Sequence, residues 1–247
     1  MTRVPAIAAF ALAGLLAVGR GDAQSPIIAD LSSHLIAVTT GFTGAELLLF
    51  GAIEQQGDIV LVVRGPNAPV TVRRKERVAG VWIHGLSMAF DGVPMFYAAA
   101  ATEGFAERAP ANLLPRLQFG LDSLRFEAKD AKGKDVALFR AALIRARQAS
   151  GLFPTAIEPV SVLGGKLFRT LVRFPANVPT GTYTVEVFFV VDGDVVSAQT
   201  TPLSVSRLGF GAEIFTFAHQ QSVIYGCVAV AMAVASGWLA SVIFRRG

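Results

Sequence analysis

From Ser33 onward the chain is built of short apolar, β-branched runs separated by glycine and proline. "HLIAVTT" (34–40), "AELLLFGAI" (45–53) and "DIVLVVRG" (58–65) are broken at Gly41, Gly44, Gln56–Gly57 and Gly65–Pro66, the residue types that set turns between strands. "PVTVRRKERV" (69–78) alternates at its start, with Val70 and Val72 on one face, and its basic half suits an edge strand protected from further pairing. "GVWIHG" (80–85), "SMAFDG" (87–92) and "PMFYAAAA" (94–101) continue the series. Strands of this length with frequent turn signals and no helical period predict a mainly β protein, an immunoglobulin-like antiparallel β-sandwich.

The period changes between about Pro110 and Gly151. In "KDVALFRAALIRARQASG" the residues Val136, Phe139, Leu143 and Ala146 recur at helical spacing, while Arg140, Arg145 and Arg147 fall mostly on other faces and Gly151 supplies a stop. This predicts a helix over about 133–150 within a helical insertion, and "PANLLPRLQFGLDSLRFEA" upstream offers a weaker second one. The β pattern then returns over 165–205. Tyr183, Val185, Val187 and Phe189 alternate with Thr184, Glu186 and Phe188, and Asp192–Gly193 marks a hairpin turn. That stretch supplies few strands and would make a thin core by itself, which favours one composite sandwich over two small ones.

The tail breaks every β rule. "HQQSVIYGCVAVAMAVASGWLASVIFRRG" has no Lys, Arg, Asp or Glu between His219 and Arg245, and Ser222–Phe244 is apolar on all sides. As a helix it is about 34 Å long, enough to cross a hydrocarbon core of about 30 Å. At the other end, "MTRVPAIAAFALAGLLAVGRGDAQ" has basic Arg3, an apolar run from Pro5 to Val18, and small Gly21 and Ala23 before a cleavage site. This is the layout of a signal peptide (residues 1–23), with Arg20 and Asp22 unusually close to the site. Export of the N-terminus, with Arg245 and Arg246 anchoring the far end of the span, places a 24–207 domain in the periplasm. A 208–221 linker, the 222–244 span and a 245–247 cytoplasmic tail follow, in a bacterial inner membrane.

Composition narrows the chemistry. The apolar fraction of 53% is inflated by the two terminal segments, and the net charge of +4 is modest for an exported chain, which argues against nucleic acid as a partner. The single cysteine, Cys227, lies in the span, so the 24–207 region has neither a disulfide nor a thiol nucleophile. His84, Met88 and Met95 are soft donor types, but His84 and Met88 flank an expected turn at Gly85, and a strand-end histidine with two core methionines is the better account. His34 opens a strand and His219 precedes the span beside Gln220 and Gln221. Ser87 in "HGLSMAF" lacks a nucleophile elbow, and Asp192 and Asp194 suit a turn. "RRKER" (73–77) could grip an anion or lipid headgroup, though edge protection explains it more simply. No catalytic residue, cofactor or metal site is expected, and the protein reads as a non-enzyme.

Several stretches resemble a family of alphaproteobacterial transmembrane proteins to which no activity attaches: "GFTGAELLLFGAI", "IVLVVRGP", "VWIHG", "VPMFYAAAAT", "LFRTLVRFPANVPTGTYTVEVFF" and "YGCVAVAMAVASGWLASVIFRR". The resemblance implies a single-pass protein, and genes for sulfite-exporter-type permeases often lie beside those of family members. In the span, Ala229, Ala233, Gly237 and Ser241 lie four apart and form a ridge of small residues that lets another helix approach. The expected function is therefore a periplasmic binding or assembly module. It would be an accessory subunit of a polytopic inner-membrane transporter, with sulfite or another sulfur oxyanion as exported substrate, or else would pair with itself through the span. The alternative is an anchored ectodomain with its own ligand or activity, in a groove beside helix 133–150 where His84, Tyr97, Arg140 or Arg145 converge.

Overall fold

A computed structural model describes residues 27–78, 80–129, 135–208, 219 and 222–244. The signal segment with its site after Ala23, most of the 208–221 linker, and Arg245 and Arg246 lie outside the described residues. In chain order the strands are β1 (Ile27–Leu31), β2 (Leu35–Val38), β3 (Gly44–Ile53), β4 (Asp58–Arg64), β5 (Asn67–Val78), β6 (Val81–Pro94) and β7 (Tyr97–Ala101). Then come β8 (Glu127–Lys129), β9 (Glu158–Pro159), β10 (Ser161–Leu163), β11 (Leu167–Pro175), β12 (Gly181–Val191) and β13 (Asp194–Arg207). Helices are α1 (Phe105–Arg108), α2 (Leu113–Leu117), a 3₁₀ turn Leu121–Ser123, α3 (Asp135–Ala149) and α4 (Ser222–Phe244).

The strands form a four-stranded sheet in the order β1-β3-β11-β10, a six-stranded sheet β2-β13-β12-β4-β7-β9, and a three-stranded sheet β5-β6-β8. Both β regions of the sequence thus contribute to the same two larger sheets. Alternation turns Ile27, Ala29 and Leu31 of β1 and Phe168, Val172 and Phe174 of β11 inward, against Tyr183, Val185, Val187 and Phe189 of β12. Phe174 meets Tyr183 edge-on at 5.9 Å and stacks on Phe96 at 5.0 Å, so the two sheets close on an aromatic centre. The sandwich is not purely antiparallel. After β1 the chain leaves the four-stranded sheet at Ser32–His34, crosses to the open edge of the six-stranded one, and there β2 runs parallel to β13. The short β9 likewise runs parallel to β7.

The apolar run "IVLVV" of β4 is buried at every position, as is "YAAAA" of β7. Such runs need cover on both faces. Ile59, Leu61 and Val63 share the inner face with Phe189, Val187 and Val185, their ladder partners. The outer face is covered by the insertion: the Tyr97 ring meets Phe153 at 6.2 Å, and Phe105 packs on Phe119 at 5.5 Å. Where the stretch upstream of α3 offered a weaker second helix, Pro115 and Gly120 leave the short α2 and a 3₁₀ turn. The expected helix is present as α3, and Gly151, at φ +72°, ends it by donating to the Gln148 carbonyl at 2.9 Å. Its packing face differs from expectation: Phe139 and Leu143 are buried, but Ala146 is exposed and the Arg147 guanidinium turns inward to the Met95 sulfur at 3.2 Å. Positions 136, 140, 143 and 147 follow the helical period as well as 136, 139, 143 and 146 do, and the arginine stems supply apolar length that alanine lacks.

Gly85 does not make a turn. Residues 81–94 form one strand, paired with β5 over almost its whole length, so the expected break at 85 is corrected to continuous β structure. The Glu76 carboxylate lies against the Gly85 α-carbon, where an added Cβ would meet it at 2.3 Å. Among the described residues, β8 pairs with Ala89–Asp91 of this strand. The Asp192–Gly193 turn is as expected, with φ +52° and +87° and Val191 opposite Asp194, the two-residue form that suits a twisted hairpin.

Candidate functional site

α4 is the segment whose physics is least ambiguous. It runs 23 residues, its 222–241 stretch has a mean hydropathy of 1.9, and none of that stretch is buried against the rest of the chain. Ala229, Ala233, Gly237 and Ser241 are all exposed, and an added Cβ at Gly237 would meet nothing within 4 Å. The Ser236 hydroxyl donates to the Met232 carbonyl at 2.7 Å, so its polarity is absorbed within the helix. Trp238 is 68% exposed and Cys227 is exposed.

Among the described side chains, the histidines and methionines are held apart. His34 contacts Asp30 at 3.0 Å on the surface, Met88 is buried in the core, and Met95 is held by Arg147. His84 pairs along the ladder with Lys75, and its side chain lies outside the described residues. Among the described residues no cluster of three His, Cys, Asp or Glu could hold a metal.

Of the residues expected to converge in a groove, two do. Arg140 and Arg145 line a cavity of about 550 Å³ on the outer side of α3, with Asp122, Gln148 and Thr155. Arg140 is already engaged: it donates to the carbonyls of Leu124 at 2.5 Å and Asp122 at 3.3 Å, and its guanidinium lies 4.2 Å over the Phe126 ring. Tyr97 does not join them. It is buried, its hydroxyl donating to the Gln118 carbonyl at 3.0 Å and accepting from the Gly120 amide at 2.7 Å. Burial pushes its pKa up to about 12 against the opposing pull of the Gly120 hydrogen bond and of Arg64. These contacts make Tyr97 a strut between β7 and the insertion.

Two features were missed from sequence. The first is a polar groove of about 620 Å³ lined by Arg64, Asn67, Arg125, Thr184 and Glu186, in which Arg64 and Glu186 form a half-buried ion pair. The second is the outer face of the four-stranded sheet. Ile28 (69% exposed), Phe50 (44%) and Leu167 (58%) stand there with Leu163 and Leu171, flanked by Arg169. On a solvated antiparallel sheet that face should be polar. The signal was present in β11, "LFRTLVRFP", which is apolar in both phases of its alternation: with Phe168, Val172 and Phe174 inward, Leu167 and Leu171 have to face out.

A family model described as "Putative transmembrane protein (Alph_Pro_TM)" matches residues 26–246. No curated protein and no solved structure matches.

Proposed function

As the chain belongs to that family of transmembrane proteins, we propose that it is a single-pass inner-membrane protein whose periplasmic β-sandwich is an assembly module, an accessory subunit of a polytopic transporter. The observation that carries this is the outer face of the four-stranded sheet. Ile28, Phe50, Leu163, Leu167 and Leu171 stand exposed there, with Asp30 and Arg169 on either side of Phe50, on a module tethered beside a membrane, and large apolar side chains rimmed by charge on one exposed face mark interaction sites. The orientation is supported by the apolar N-terminal segment and by Arg245 and Arg246 behind the span. The strand order β1-β3-β11-β10 facing β13-β12-β4 supports an immunoglobulin-like sandwich, an architecture widely used for recognition at cell surfaces. A sulfur oxyanion as the transported species rests on the gene neighbourhood that the resemblance implies.

The test is photocrosslinking from positions 50 and 167 of the full chain in its native membrane. A polytopic transporter recovered from both positions supports the accessory role, whereas recovery of only this chain or only lipid ends it. The runner-up reading, a ligand of the domain's own, draws on the groove at Arg64, Arg125 and Glu186. It requires that Arg125→Ala weaken binding of a small anion to the purified protein.

A further inference from the structure

Beyond the accessory role, we propose that the free end of the β5–β6 ribbon is a second membrane contact, which dips end-on into the headgroup layer of an anionic bilayer. From Arg73 on β5 to its ladder partner Ser87 on β6 no third strand pairs with the ribbon among the described residues, the described part of β8 pairing with Ala89–Asp91. Arg73 to Val78 extends roughly 17 Å at the rise of a strand. A bare two-stranded ribbon is marginal in water, and this one exposes Val81 (64%), Ile83 (44%) and Leu86 (53%).

Charge identifies what those side chains meet. Arg73, Arg74, Lys75 and Arg77 are exposed, while the carboxylate among them, Glu76, is engaged by Arg74 at 2.7 Å. These five consecutive residues hold most of the whole chain's excess of +4. Protection of an edge strand would account for cations on β5, but it leaves the apolar residues on β6 unexplained. Glu76 opposes Ile83 and Lys75 opposes His84, so by strand alternation Ile83 and Val81 share a face with Arg74, while Leu86 lies where the register shifts between the Lys75–His84 and Arg73–Ser87 pairs. One face therefore combines Val81 and Ile83 with Arg74, and exposed Leu86 stands at the bulge opposite the Arg73–Lys75 stretch, the mixture of apolar groups and cations that end-on insertion into anionic headgroups requires. Long basic side chains reach phosphates while their stems lie along apolar neighbours. Tethering makes a weak contact sufficient. The residues between Leu208 and Ser222 span at most about 50 Å, which keeps the domain at high effective concentration over the bilayer.

The experiment uses the full chain, with Cys227→Ser and Leu86→Cys carrying an environment-sensitive fluorophore. It is reconstituted in nanodiscs of phosphatidylcholine with or without phosphatidylglycerol. The expected result is a blue shift with quenching by spin-labelled lipid in the anionic discs only. The contact should be lost at high salt and weakened about five-fold for each of the four cations replaced by Gln. Emission characteristic of water in both compositions overturns the proposal. So does shielding seen only in native membranes together with a protein crosslink from position 86, which would make the occupant a protein and not lipid.

Discussion

The hydroxyl of Tyr183 donates to the carbonyl of Pro179, 2.6 Å away and four residues back along the chain. Tyr183 sits near the start of β12, fully buried, with its ring packed against both Phe96 and Phe174. The bond pins the loop that brings the chain from the four-stranded sheet into the six-stranded one, the role played by the tyrosine corner of Greek-key sandwiches. Tyr183→Phe keeps the ring and removes the bond, leaving a carbonyl short of its partner. The expected cost is about 1 kcal/mol, seen as a fall of roughly 2 to 4 °C in Tm for a domain of this size. Tyr183→Leu, which also breaks the aromatic centre, should cost roughly twice as much or more. Equal losses for the two variants would mean that the ring adds nothing to the hydroxyl, and an unchanged Tm in Tyr183→Phe would mean that the hydroxyl contributes nothing.

Gly51 stands in β3 between Ala29 and Phe168, and an added Cβ would lie 2.3 Å from the Ile28 carbonyl oxygen and 2.5 Å from the Phe168 ring. Neither neighbour gives way cheaply, one being backbone and the other a buried ring. Gly51→Ala should destabilise by roughly 2 to 3 kcal/mol, as overpacking does. Gly41→Ala is the control: nothing lies within 4 Å of its added Cβ, and it should be neutral or slightly stabilising. Urea unfolding of the two variants side by side reads the difference.

The elements legible in the sequence were those whose pattern is local. Alternation in β12, the Asp192–Gly193 turn, the continuous apolar run of β4, the stop at Gly151 and the uncharged α4 each carry their signal within a few residues, and each is where the sequence placed it. What was not legible depends on partners far along the chain. Gly85 looks like a turn former until Glu76 is laid across it from the other strand. Arg140 and Arg147 look like solvent-facing charges until the Leu124 carbonyl, the Phe126 ring and the Met95 sulfur are brought beneath them. The crossing of β2 to a parallel edge has no local signature at all. The surfaces proposed to bear on function, the outer face at Phe50 and the ribbon end at Leu86, require knowing which of two apolar phases the core has taken.

Alkaline pH should unfold the domain in a way that reports Tyr97. Its phenol is held protonated by burial, with the pKa raised from 10.0 to about 12. Above the ordinary value the unfolded chain ionises while the folded one stays protonated, so the folded state holds the extra proton and stability falls as pH rises from about 10 to about 12. Below pH 10 the contribution is fully present. The part due to Tyr97 is about 3 kcal/mol over that range, and burial of Tyr183 acts in the same direction. Tyr97→Phe leaves the Gln118 carbonyl and the Gly120 amide unpaired, so it lowers stability at neutral pH. It should nevertheless flatten the alkaline limb of a stability–pH curve measured by denaturant unfolding. A limb of unchanged steepness would place the titration elsewhere.

The span offers the cleanest separation of fold from assembly. α4 has none of its apolar length buried against the β domain, so substitutions there leave the sandwich's unfolding midpoint where it was. Ala233→Leu with Gly237→Leu fills the ridge of small residues that would admit a neighbouring helix. Both side chains have open space around them in the chain itself, so loss of a partner would come from the interface and not from the fold. In a crosslinking pull-down from native membranes, the double variant should lose most of the transporter that the wild type brings down, at equal expression and equal thermal stability. Equal recovery would show that α4 is a tether only, and that recognition resides in the exposed sheet face around Phe50 and Leu167.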